Sequence, residues 1–473
     1  MSASPIPDKT VLHRLIGILL NAGADFCDVF CEDSSYNAVT SDDRKINTSY
    51  STQLGAGLRA VKDHCTFYTA CTELTPDKLE AAARRLAGGL PTHSTLSLGT
   101  VVLADRAVTD MYSRIKIDPA EARIELKHDL VRQAQEAAWG YSGKIRQVTA
   151  RYSDIKRDVL VASSHANEVV RQRLGLTEFV ITVFAGNDSE RQMGWSGKSF
   201  FEGMEALTGE NSPARFAEAA CKQAITMLKA DDCPRGEVPV VFAPGENGIL
   251  FHESCGHGME ADLIEKGSSF AGLLGQRVAS EKVTIHDNGT LAGYPGSYAF
   301  DDEGTPSQDT LLIENGRLCG YLHTILTASR FNVNPTGSGR RQSYAFPPIP
   351  RMRNTYISAG PDDPEEIIRS TKKGIYAADV GFGGQVDVVT GRFITSILLG
   401  FLIEDGKLTR PVKGATITGN GIQALKDIDM VGNDLVINHS PGRCGKGQEV
   451  PVGVGMPTVR VRKLTVGGTG STF

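Results

Sequence analysis

Glycine restricts this chain more than any other residue because it is unevenly placed: 35 of the 51 glycines follow Gly236 in a sequence of 473 residues. A residue without a Cβ takes up positive φ without strain and lets a second backbone come close, but it weakens the interior of helices and strands. A half so rich in glycine favours short strands and tight turns over long helices. Asn288-Gly289, Asn315-Gly316 and Asp405-Gly406 each lie between apolar runs, the signature of two-residue hairpin turns. There is no Gly-X-Y period, so a collagen-like chain is excluded.

Other classes fall away on composition. With 40% hydrophobic and 22% charged residues, the chain reads as an ordinary globular protein, long enough for two to four domains. Its formal charge is −5 without a long basic run, which argues against a nucleic-acid footprint. The first apolar stretch, Val11 to Leu20, is broken by His13 and Arg14 and is too short to span a bilayer. Nine cysteines, an odd number scattered without a secretory leader, make a disulfide framework improbable. The expectation is a cytoplasmic protein with reduced thiols and neither nucleic-acid nor membrane partners.

Periodicity divides the chain. Residues 1–95 read as mixed α/β, with an amphipathic opening helix, strands at Cys27 to Cys31 and Gly55 to Val61, and a helix started by Thr75 and Pro76. Asp118, Pro119 and Glu121 announce a second helix that runs to Trp139. Period-two runs at Asp158 to Ala162, Val169 to Leu174 and Phe179 to Phe184 suggest an antiparallel meander. A helix from Ser212 and Pro213 ends near Ala230, and the segment Asp231 to Gly236 reads as a linker. The expected fold class is α+β. An N-terminal α/β domain over 1–234 precedes a Gly-rich, mainly antiparallel β domain over 235–473, interrupted by a helix entered at Asp363 and Pro364.

The chemistry lies after the strand Val238 to Phe242, in His252-Glu253-Ser254-Cys255-Gly256-His257. Neutral imidazoles bind Zn²⁺, and an adjacent carboxylate takes a proton from a metal-bound water. At about 100° per residue, positions five apart sit about 140° apart on a regular helix, so one extra residue must be absorbed. A π-bulge does this, and Gly256 eases it. A catalytic zinc site needs a third protein ligand. His286, His323, His439, Cys319, Cys444 and several carboxylates qualify, and Cys255 is a rival at i+3 from His252. Cys444 stands out because Pro441 to Gly447 is a glycine-rich turn in which Arg443 and Lys446 favour a thiolate.

The chain also resembles the catalytic, TldD-type branch of the TldD/PmbA (TldE) family of zinc metallopeptidases. The resemblance rests on the HExxxH string with Gly258-Met259-Glu260-Ala261-Asp262, Asp302 to Pro306, Gly320 to His323, Pro335 to Arg341, Pro350 to Thr355, and Cys444-Gly445-Lys446-Gly447-Gln448 with Val450 to Gly455. The cysteine block is one residue shorter here than is usual in the family. The resemblance implies zinc ligands His252, His257 and Cys444, and Glu253 as general base. It further implies a channel lined by His323, Arg340, Arg341, Tyr344 and Arg351, and hydrolysis of unstructured peptides or small unfolded proteins in a chamber shared with a PmbA/TldE-type subunit or a second copy of the chain. The alternatives are a non-catalytic regulator of the gyrase-modulator type and a structural zinc-binding subunit.

Overall fold

The computed structural model of the chain describes residues 6–91, 102–106, 115–187, 190–381 and 384–473. It is an α+β protein whose sheets are mostly antiparallel. In the first half, long strands at Phe26–Asp42, Lys45–Lys62, Ile145–Ser163 and Glu168–Gly186 form the centre of a seven-stranded sheet. Alternation gives this sheet two working faces. Val29, Cys31 and Leu58 pack under the helices Lys9–Asn21 and Pro76–Gly88. Further along, Tyr152, Phe179 and Ile181 pack under Ile124–Tyr141 and Pro213–Met227. Phe30, Val159, Val161 and Val170 point the other way and meet Phe300 of the second half.

In the second half, the strands Lys373–Val380, Gly236–Phe242, Val459–Gly467, Thr416–Asn420 and Arg392–Glu404 are joined in that order, and the last pairs back to the first, so five strands close a ring. A six-stranded sheet, containing Ile285–Asn288, Asn354–Ile357 and Gly453–Met456, lies in the same large core. Asn315-Gly316 and Asp405-Gly406 have both residues at positive φ, as their hairpins require.

Three local expectations change. The second helix begins at Ile124 rather than at Asp118: Asp118 caps a single turn, its carboxylate accepting from Ala120 N at 2.9 Å and its carbonyl from Ala122 N at 3.0 Å, but Arg123 is extended and the turn is not continued. Asn288-Gly289 is not a hairpin turn. Gly289 N donates to Gln308 O, and the Arg353 guanidinium fills the place of its missing Cβ. The segment read as a linker is tied into structure, since Asp231–Asp232 pair with Val412 and Lys413.

Candidate metal centre

Gly245, at φ 90°, turns the chain out of Gly236–Phe242 into a succession of unlike helical turns: 3₁₀ over Glu246–Gly248, α over Ile249–Phe251, π over His252–Gly256, and 3₁₀ over His257–Met259. In the π turn, His257 N–H bonds to His252 O, five residues back. The extra residue of HExxxH is absorbed there, and the two rings come to 5.4 Å between centroids. Two glycines let neighbours seat the turn. A Cβ on Gly256 would meet Met352 Sδ at 2.1 Å, and one on Gly421 would meet Ser254 O at 2.3 Å.

From the far end of the sequence, the hairpin Arg443–Gly445/Glu449–Pro451 brings Cys444 onto this turn. Its Sγ lies 3.2 Å from His252 Nε2 and 3.2 Å from His257 Nε2. All three residues are buried, and they are the one group of potential metal ligands found among the described residues. Burial works against the thiolate, but the two imidazoles overcome it and hold the Cys444 thiol well below its usual range. Burial likewise opposes charge on His257, and Glu260 and Cys444 outweigh it, raising its pKa well above the usual value. Tetrahedral zinc, with bonds of about 2.1 Å to nitrogen and 2.3 Å to sulfur, sets N and S about 3.6 Å apart. The cluster fits such an ion, and its protons are those that a cation displaces.

Glu253 is the open member of the group. Its side chain is 26% exposed, against 0% and 7% for the two histidines, and its oxygens lie 4.0 Å from His252 Nε2 and 3.8 Å from His257 Nε2. Glu260 is closed in at 0% exposure. Its Oε2 takes a hydrogen bond from His257 Nδ1 at 2.8 Å and from Lys446 Nζ at 2.9 Å. Burial alone would raise its pKa, yet His257, Lys446 and Arg351 bring it down to about 2. The sequence reading gave Glu260 no role and Lys446 only that of favouring the Cys444 thiolate, which the two imidazoles do instead. The signal was present as His-x-x-Glu, a spacing that puts two side chains on one face of a helical turn.

None of the other candidate residues adds an atom to the ligand group. Cys255 is buried beside Ser254 Oγ at 3.4 Å, and burial pushes its thiol up to about 12. His439 stacks on Tyr294 and against Phe200. His323 is buried against Phe331 and near Thr327 Oγ1, its pKa lowered by burial to about 4. Tyr344 covers Gly55 of the first half. Arg351 is enclosed, with Nη1 on Gln448 O at 2.7 Å and Nη2 on Cys444 O. Arg340 and Arg341 line a cavity of about 310 Å³ between the halves, with Arg157, Tyr298, Arg443 and Val450 also in its wall.

Profiles of the PmbA/TldA metallopeptidase domains match three stretches of the chain: domain 1 over residues 27–88, the central domain over 117–228 and the C-terminal domain over 235–468. The chain belongs to the TldD/PmbA family. A metalloprotease TldD homolog of Haemophilus influenzae is 35% identical, covering 99% of this chain and 98% of the relative. Two crystal structures share the fold. A Thermotoga maritima protein described as a candidate modulator of a DNA gyrase has TM-score 0.78 and 20% identity, covering 97% of this chain and all of its own. TldE of Thermococcus kodakarensis has TM-score 0.74 and 19% identity over the same shares. The chain's relatives carry metalloprotease names and the matching profiles are of metallopeptidase domains, so it is a metallopeptidase with a metal cofactor. Among its described residues, no helix is long and apolar enough to cross a membrane.

Proposed function

We propose that the chain is a zinc-dependent, TldD-like peptidase of the cytoplasm, held by His252, His257 and Cys444 to its ion and cutting unstructured peptides or small unfolded proteins. The observation that carries this reading is the convergence of three buried ligand atoms beside one solvent-facing carboxylate, Glu253. Bound zinc supplies a Lewis acid and an acidified water. Glu253 accepts the proton of the attacking water at a carboxylate oxygen and returns it to the leaving amine. His257 is held in the tautomer that offers Nε2 by its Nδ1–H bond to Glu260.

Arg340 and Arg341, in the wall of the cavity between the halves, are the proposed substrate contacts, with His323 and Tyr344 further along the channel. Arg351 serves the site through the carbonyl of Cys444. Residues 1–234 act as scaffold, chamber wall and subunit interface, and 235–473 as the metallopeptidase domain. The partner is a PmbA/TldE-type subunit or a second copy, and the enclosed chamber excludes folded proteins. The test assays zinc content and cleavage of an unfolded peptide, with and without such a partner. Glu253→Gln retains zinc and lowers kcat by about 10²- to 10⁴-fold. Cleavage at the wild-type rate by this variant overturns the mechanism.

A further inference from the structure

Cys444 is the ligand that the main sheets do least to place. Its strand, Arg443–Gly445, pairs only with Glu449–Pro451, and the two form a sheet of their own. A two-stranded hairpin is marginal by itself, so side chains must fix it. Arg351 holds Cys444 O and Gln448 O, Arg340 holds Pro451 O at 2.6 Å, and the Gln448 amide donates to Pro347 O at 2.8 Å. These anchors tie the hairpin to the segment that contains Arg340 to Arg351. Lys446, in the loop between the strands, instead reaches the histidine turn. Its Nζ donates to Glu260 Oε2 at 2.9 Å, Asp262 Oδ1 at 2.9 Å and Pro350 O at 2.6 Å, which uses all three ammonium protons. The same Oε2 accepts from His257 Nδ1 at 2.8 Å. One carboxylate oxygen therefore joins the ring of one ligand to the loop that carries another.

We propose that Glu260 and Lys446 are positioning residues, a clasp that turns His257 Nε2 and the Cys444 sulfur toward one point; this rests on the metal reading given above. Glu260 fixes the ring and tautomer of His257, as partners of metal-binding histidines do. Lys446 holds the cysteine hairpin against that same carboxylate and supplies the charge that a fully buried Glu260 requires. Asp262, at 20% side-chain exposure, is an accessory to the clasp.

The test uses the full chain stripped of metal and titrated with cobalt(II), then with zinc, against a chromophoric chelator. Affinity reports the whole site, and the thiolate-to-cobalt charge-transfer band reports Cys444 alone. Lys446→Met and Glu260→Gln weaken both metals by about ten- to a hundredfold. At saturating cobalt Lys446→Met also loses most of the charge-transfer band, Lys446→Arg restores it, and Asp262→Asn keeps it. A Lys446→Met chain that folds by circular dichroism, binds cobalt as the wild type does and keeps the full band overturns the proposal. If Lys446→Met does not fold, the isosteric Glu260→Gln is read by the same affinities, and wild-type values there overturn it equally. A wild-type chain that takes up neither metal overturns the metal reading itself, a result separate from failure of the clasp alone.

Discussion

Two glutamates within reach of His257 have different surroundings. Glu253 is partly open to solvent, whereas Glu260 is enclosed by His257, Lys446 and Arg351 and stays ionised. The adjacency of His252 and Glu253 was legible in the sequence. The function of Glu260 was not, because it depends on Lys446, which the fold brings from 186 positions away. A third glutamate gives a prediction at this scale. Burial raises the pKa of Glu246 from 4.5 to about 7, against the hydrogen bonds that Ser440 and Asn438 give it. A carboxyl whose folded pKa is raised binds more protons in the folded than in the unfolded state, so stability falls as pH rises between the two values. The wild type is therefore expected to lose about 1 to 3 kcal/mol relative to Glu246→Gln between pH 4.5 and 7. Urea unfolding across that range measures it, and parallel pH profiles for the two chains refute it.

Among the elements, the π turn was predictable from spacing alone, since two histidines five apart cannot meet on a regular helix; Gly256, expected to ease it, is in ordinary right-handed helical conformation and instead leaves room for Met352. What seats the turn was not predictable. Gly421 begins the short helix Gly421–Lys426, and its bare Cα lies against the Ser254 carbonyl. Gly421→Ala is expected to cost about 1 to 3 kcal/mol and to weaken zinc binding, because backbone must move. Gly140→Ala, where a Cβ meets nothing within 4 Å, is expected to be neutral or slightly stabilising. Thermal unfolding of both variants checks the contrast, and equal effects would count against it. Hairpins divide in the same way. Asn315-Gly316 and Asp405-Gly406 were readable, whereas Asp43-Arg44 and Asp63-His64 make turns with both residues at positive φ and no glycine. Asp and His enter the left-handed region more readily than most residues, and the paired strands on either side hold Arg44 there as well.

Across the whole molecule, the halves are joined by buried charge as well as apolar contact. Arg59 Nε donates to Asp28 at 2.6 Å, its Nη2 donates to Glu303 of the second half at 2.6 Å, and Arg341 Nη2 reaches back to Asp28 at 3.1 Å. Removing one partner of such a network leaves charge in the interior without compensation. Arg59→Met is expected to cost about 3 to 5 kcal/mol, seen as a lower urea midpoint; an unchanged midpoint would show that the layer contributes nothing.

By itself the sequence determined the α+β class, short alternating segments within the long strands of the first half, two glycine hairpins and the HExxxH string, because each depends on neighbours a few residues apart. That Arg340, Arg341 and Arg351 line one channel with His323 and Tyr344 came from the family resemblance, and local pattern alone could not place them. The tertiary structure decided that Arg351 backs Cys444, that Arg340 and Arg341 border a cavity between the halves, and that Glu260 and Lys446 meet. Those outcomes depend on which distant backbones the buried charges are forced to satisfy, since a charge removed from water must find its partner wherever the fold brings one.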